Sequence, residues 1–247
     1  KPFTFRADPI TIPVLAKHFD GLSLANNHSG DFGKDAFAEQ LALLRKAGLP
    51  YFGGGDNATE AHAPWIVERN GLRIAILGYV EYKPRSFEAS ATRPGVAWSG
   101  EDDQVINDII AARDVHGADL VIPFMHWGWE DEPQPSERLR EFSRRMLDAG
   151  ADMVVGSHPH VTQGAEYYKG KLIVYSLGNF LFNGFDTPAT NTGWVLKVRM
   201  DKDGMLDWET RVARLDGDGV PHPDLKASSP CGKAGDTVIA QCTGKQE

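Results

Sequence analysis

The chain has 247 residues, 41% hydrophobic and 24% charged, a balance that suits a globular protein with a sizeable core and one large domain. Its formal net charge is -8 and its basic residues form no block, which argues against nucleic acid or an anionic membrane surface and leaves a small or polymeric ligand. No apolar stretch approaches the roughly 18 residues of a membrane-spanning helix. The chain opens on neither Met nor a signal-peptide pattern, so either its start is processed or the sequence is partial, and membrane association is expected only through a segment outside it.

In chain order, FDGLSLA (19–25) reads as a buried strand. KDAFAEQLALLRKAG follows, with Phe37, Leu41 and Leu44 at helical spacing and Gly48 placed to end the helix. The glycine-rich YFGGGD lacks the lysine and helix entry of a phosphate-binding loop and reads as a flexible connector. LRIAILGYV is a second strand, and the next helix is expected to be capped by Ser99 and to bury Val105, Ile109 and Ala112. DLVIPFM is a third strand, followed by a helix with the stripe Leu139, Phe142 and Met146, closed by Gly150; DMVVG is a fourth strand. Beyond residue 160 the rhythm changes to hairpins, one turned at Lys169 and Gly170 and one at Asp203 and Gly204. Strand and helix in alternation followed by antiparallel strands predict a layered α/β sandwich.

From about Asp216 onward Gly, Pro, Ser and Asp dominate, and the tail is expected to be irregular. It holds the chain's two cysteines, Cys231 and Cys242, whose spacing away from every histidine motif suits a disulfide in an oxidising compartment better than a metal site; two unpaired thiols are the alternative.

Three strands end in the same chemistry. Asn26, Asn27 and His28 follow the first, His126 ends the third, and His158 and His160 follow the fourth. Where strands are joined through helices, ligands bind outside the carboxyl ends of the strands, so these motifs are expected along one edge. Imidazole suits zinc, iron and manganese, and an asparagine amide oxygen adds a neutral ligand. Neutral ligands alone under-compensate a divalent cation, so carboxylates are expected too, from Asp31, Glu81, Glu130, Asp131 or Glu166. A lone histidine at a strand end is more often a structural residue. Three such motifs at equivalent ends favour a metal or catalytic site. His18, His62, His116 and His222 lack this setting and read as surface or loop residues. Trp127 and Trp129 suit an aromatic wall for substrate and partial core equally, and Arg144 and Arg145 read as a solvated helix face.

With SLANNHSGDFG, HWGWE, GSHPHV and YSLGNFLF in that order, the chain resembles the CapA family, also called PgsA-like, of capsule and poly-γ-glutamate biosynthesis proteins, relatives of the calcineurin-like metallophosphatases. The resemblance runs from about residue 10 to about residue 200. It implies a four-layer αββα sandwich of the α/β class over residues 1–215, with 216–247 as the tail, and a site for two divalent ions (zinc, manganese or iron) at the sheet edge. Carried onto this chain, it makes Asn27 a metal ligand and His28 a general acid beside the reacting group. His126 and His158 complete one ion's shell, and His160 serves the other. Ser176, Gly178 and Asn179 take supporting roles, which the reading of the residues themselves extends to Asp31, Trp127 and Glu130. One departure matters: the family's Gly-Asp and Asn-Leu-Glu motifs, which supply carboxylates, would both lie before Lys1. A sheet without its first central strands exposes unpaired edges, so a preceding segment is expected; without it, metal binding would be weak or mononuclear.

Two functions follow from the resemblance. One is metal-assisted hydrolysis of a phosphoester or a peptide-like amide, with His28 protonating the leaving group. The other is a non-catalytic, polymer-binding component of an exported polysaccharide or polyglutamate synthesis complex, whose partners are an anionic polymer and the other subunits. Both place the protein in the periplasm or outside the cell.

Overall fold

A computed structural model describes residues 3–82, 85–184 and 186–243. The fold is mixed α/β with several sheets, and the chain divides into two units, residues 1–126 and 127–247.

The first unit contains α1 (Ile12–His18), β1 (Leu22–Ser23), α2 (Gly33–Ala47), β2 (Tyr51–Phe52), β3 (Gly54–Gly55), α3 (Ala58–His62), β4 (Trp65–Arg69), β5 (Leu72–Val80), β6 (Gly95–Val96), α4 (Asp102–Asp114) and β7 (Leu120–His126). The helical spacing of Phe37, Leu41 and Leu44 puts all three on the buried face of α2, against Leu24, Ala25, Leu49, Val80 and Val96. Gly48 ends α2 in the left-handed conformation, φ 66°, where its N–H reaches the last carbonyls. α4 buries Val105, Ile109 and Ala112 by the same periodicity. β5 pairs with β4 antiparallel and with β7 parallel, in unbroken register from Ile74↔Leu120 to Val80↔His126. That register sets His126 at the carboxyl end of its strand, and the Glu81 N–H donates to the His126 carbonyl at 2.9 Å.

Four expectations change in this unit. The first strand is two residues long rather than seven: Phe19 is exposed, and only Leu22 and Ser23 pair, in parallel, with β2. Ser99 does not cap α4. It is fully buried, its N–H donates to the Val80 carbonyl at 2.9 Å, and the helix starts after Glu101, with Asp102 and Asp103 supplying the favourable charge of the first turn. The glycine run is no flexible connector. Gly53, Gly54 and Gly55 are buried, and a Cβ on Gly54 would lie 2.8 Å from the Phe37 ring, so glycine lets the backbone pack flush on the core. His62 is not a surface residue either. Its Nδ1 lies 2.6 Å from Asp108 Oδ2, which also accepts from the Tyr79 hydroxyl at 2.9 Å. Burial, reinforced by the Asp108 charge, holds the Tyr79 phenol well above its usual range.

The second unit contains α5 (Glu137–Asp148), β8 (Met153–Ser157), β9 (Thr162–Tyr168), β10 (Lys171–Leu177), β11 (Thr192–Asp201), β12 (Gly204–Leu215), β13 (Pro221–Pro223), β14 (Ser228–Lys233) and β15 (Ala240–Thr243). Ser136 caps α5 by accepting from the Leu139 N–H, and Leu139, Phe142 and Met146 form its buried stripe. β10 lies between β8, parallel, and β9, antiparallel. Lys169 (φ 50°) and Gly170 (φ 78°) make the two-residue hairpin turn that matches strand twist. In the second hairpin Asp201 pairs with Gly204, so the loop is Lys202 and Asp203, one position earlier than expected.

The tail is not irregular. β13 and β14 both pair with β12, and β15 pairs with β14, completing a five-stranded antiparallel sheet. Side-chain to backbone bonds take the place of apolar alternation there: Thr210 Oγ1 donates to the Pro230 carbonyl at 2.7 Å and Ser229 Oγ to the Thr210 carbonyl at 2.8 Å. Cys231 and Cys242 form a disulfide between β14 and β15, with Cα atoms 5.9 Å apart.

Candidate metal centre

In the first unit the segment after β1 turns back on itself at Asn26–His28. Asn26 Oδ1 accepts from the His28 N–H at 2.7 Å, an Asx turn that fixes the two following side chains. Asn27 Oδ1 lies 2.8 Å from His126 Nε2, so the amide and the imidazole, 99 residues apart in sequence, meet at one point. His28 Nδ1 lies 2.7 Å from Asp31 Oδ2, a carboxylate only 1% exposed that also accepts from the Phe5 N–H at 2.9 Å. The Phe5 ring stands edge-on to the imidazole, centroids 4.5 Å apart. A carboxylate behind one ring nitrogen fixes the orientation of the other.

The second unit holds a denser group. One ligand atom each from Glu130, His158 and His160 lies within 4.8 Å of the others. Two local features build it. The loop after Trp127 is tied at both ends to the chain leaving β8, by Trp127 N–H to the Ser157 carbonyl (3.1 Å) and Asp131 N–H to the Pro159 carbonyl (2.9 Å), which brings Glu130 to the histidines. His158 (φ 101°), His160 (φ 61°) and Asp131 (φ 63°) also adopt positive φ, a conformation that costs a non-glycine residue roughly 1–3 kcal/mol and collects at functional sites. His160 Nδ1 lies 2.8 Å from Asn179 Oδ1, while Asn179 Nδ2 donates to the carbonyls of His160 (3.2 Å) and Thr190 (2.9 Å). With Nδ1–H given to an amide oxygen, Nε2 is the nitrogen His160 presents to a cation. A Cβ on Gly193 would collide with the Asn179 backbone carbonyl, so glycine there permits the approach that seats Asn179.

Two imidazoles and a carboxylate are a donor set for zinc, manganese or iron, and ligand atoms around such an ion stand about 3–4 Å from each other, so the group fits a divalent cation after small side-chain rotations. Glu130, read from sequence as a supporting acid, stands with His158 and His160 in one group. A tied loop that brings a glutamate four residues past a strand-end histidine onto another strand's exit is not visible in sequence spacing.

The remaining candidates have structural surroundings. Trp127 is fully buried, donates from Nε1 to the Tyr175 carbonyl at 3.0 Å and packs on Phe142; Gly156 leaves room for its indole. Ser176 is buried, and its Oγ accepts from the Gly178 N–H at 3.2 Å, supporting the turn before Asn179. Glu166 is engaged elsewhere, bound by Arg144 (2.8 Å), Arg140 (3.1 Å) and the Tyr175 hydroxyl (2.9 Å), so Arg144 is paired rather than merely solvated.

Residues 1–184 match the family described as "Bacterial capsule synthesis protein PGA_cap". The PGA biosynthesis protein CapA of Bacillus subtilis (strain 168) is 37% identical over 212 residues, 85% of this chain and 54% of that protein. The capsule biosynthesis protein CapA of Bacillus anthracis is 38% identical over 167 residues, 67% of this chain and 40% of that protein. The chain thus spans about half the length of the curated relatives it matches. Among solved structures, the sulfate thiohydrolase SoxB of Thermus thermophilus matches with a TM-score of 0.48 and 17% identity, over 73% of this chain and 30% of that one. With three quarters of its length matched by one family and two CapA proteins more than a third identical to it, the chain belongs to the bacterial capsule synthesis protein family PGA_cap.

Proposed function

We propose that this chain is the metal-holding part of an exported capsule-polymer biosynthesis protein and that it hydrolyses a phosphoester or amide bond in an acidic polymer of the poly-γ-glutamate kind or in one of its precursors. The observation that carries this reading is the Glu130, His158 and His160 group, with Asn179 orienting one of its imidazoles. A divalent ion held there supplies Lewis-acid polarisation of a phosphoryl or acyl oxygen. Asn27 and His126, whose polar ends meet in the first unit, are the candidates for a second ion. In the first unit, His28 is the candidate proton donor. Asp31 accepts from Nδ1–H and fixes the ring, leaving Nε2–H to protonate a departing oxygen or nitrogen. The Cys231–Cys242 disulfide supports export, because such bonds persist in oxidising compartments.

The test is metal uptake together with turnover. Reconstituted with zinc, manganese or iron, the protein is expected to retain at least one ion and to hydrolyse a generic phosphoester or a γ-linked glutamate oligomer, and His158→Ala is expected to lose both. Absence of bound metal after reconstitution, or turnover indifferent to His158→Ala, would remove the reading. A cell lacking the gene and complemented with the His126→Ala, His158→Ala protein addresses the non-catalytic alternative, for which full polymer production would count.

A further inference from the structure

We propose that Trp129, aided by Phe180 and Leu181, is a substrate-positioning surface that grips the aliphatic stem of an acidic, γ-linked glutamate chain beside the Glu130, His158 and His160 group; this rests on the function proposed above. The two tryptophans of the Trp127–Asp131 loop have opposite fates. Trp127 is fully buried, whereas Trp129 is 73% exposed. A single exposed apolar residue is ordinary, but Trp129 is held in a particular place. Its loop is bonded at Trp127 and Asp131 to the Ser157 and Pro159 carbonyls, on either side of His158, and its neighbour Glu130 is one of the clustered donors. The second segment at the cluster repeats the pattern: after Asn179, which binds His160, come Phe180 and Leu181, 45% and 69% exposed. Both loops that serve the cluster therefore carry large, exposed apolar side chains within one or two chain positions of Glu130 and Asn179.

Charge does not draw the ligand to this surface. The protein carries a net charge of -8 and no basic block, so its overall field repels an anionic chain instead of steering it in. Affinity must come from the cluster, which takes one anionic group once a cation is bound, and from apolar contact along the rest of the chain. A γ-linked glutamate polymer offers both, with a carboxylate on every residue and two methylenes between successive amide links. Indole gives a large rigid face with little conformational entropy to lose. A compact anion such as inorganic phosphate would reach the cluster without touching it.

The experiment uses the full chain loaded with manganese, a fluorescein-labelled γ-linked glutamate decamer followed by anisotropy, and inorganic phosphate as competitor. Withdrawing two methylenes from water is worth about 0.8 kcal/mol each, so Trp129→Ala is expected to weaken decamer binding about tenfold. Manganese and phosphate affinities should hold within about twofold in that variant, and Trp129→Phe should restore most of the decamer affinity. Unchanged decamer binding in Trp129→Ala, an equal loss of manganese affinity, or no rescue by Trp129→Phe would each overturn the proposal. Wild-type protein that binds manganese and phosphate but no decamer would overturn it while leaving the metal site standing. Wild-type protein that binds no manganese would bring down both.

Discussion

His160 and Asn179 hold each other twice: the ring Nδ1 lies 2.8 Å from the amide Oδ1, and the amide Nδ2 donates to the carbonyl of His160 itself at 3.2 Å. The pair therefore fixes both the ring and the backbone beneath it, which sits at φ 61°, outside the usual range for histidine. Groups that orient a metal-binding imidazole typically contribute 10–100-fold to metal affinity. Asn179→Ala is expected to lower zinc or manganese affinity by about that factor, read by calorimetric titration, with the secondary structure unchanged by circular dichroism.

His28 and Asp31 form the comparable pair in the first unit, but their expected signature is different. Asp31 is buried and bonded to both the His28 ring and the Phe5 N–H, so it bears on proton transfer. Asp31→Asn keeps the shape and removes the carboxylate that orients the His28 ring. Turnover of a phosphoester or amide substrate should fall about 10²-fold or more, while metal content measured by elemental analysis stays level. Loss of metal together with turnover would make Asp31 a residue that holds the metal, directly or through the fold, and not a partner in acid catalysis.

What was legible in the sequence was whatever depends on short-range periodicity. The stripes Phe37/Leu41/Leu44, Val105/Ile109/Ala112 and Leu139/Phe142/Met146 are buried as their 3.6-residue spacing requires, and Lys169–Gly170 turns where a twisted hairpin needs positive φ. The positions of His126 and His158 were legible for a related reason, since a polar residue abruptly ending an apolar run marks a strand end, whereas His28 lies in a turn beyond a strand of two residues. What depends on partners distant in the chain was hidden. Asp108 meets His62 across 46 residues, and Ser99, a good cap by type, is drawn into the interior by its bridge to Val80. The tail becomes sheet because β12 offers an open edge and a disulfide fastens its last strand, although its Gly, Pro and Ser content reads as loop.

That fastening leads to a prediction of its own. The cysteines are separated by 11 residues, and closing a loop of this length removes enough freedom from the unfolded chain to be worth about 2–3 kcal/mol. The Cys231→Ser, Cys242→Ser protein should lose about that much stability in urea unfolding. Reductant should produce the same loss in the natural protein and none in the variant.

Glu166 gives the clearest pH dependence. Burial alone would raise its carboxyl, but the bonds from Arg144, Tyr175 and Arg140 outweigh burial and hold it below the ordinary glutamate range. A carboxylate depressed in the folded state adds stability that is complete above the unfolded value and disappears as pH falls through the native one. Replacing Glu166 by Gln removes the charge while keeping the shape, and leaves Arg140 and Arg144 beside a neutral amide. The cost should be about 1–3 kcal/mol at pH 7 and should shrink once the pH falls below the ordinary glutamate range and through the lowered native value, where the wild-type carboxylate is itself protonated. Urea titrations of both proteins across this range test the sign: a difference that stays constant as the pH falls would mean that Glu166 contributes by shape and hydrogen bonding rather than by its charge.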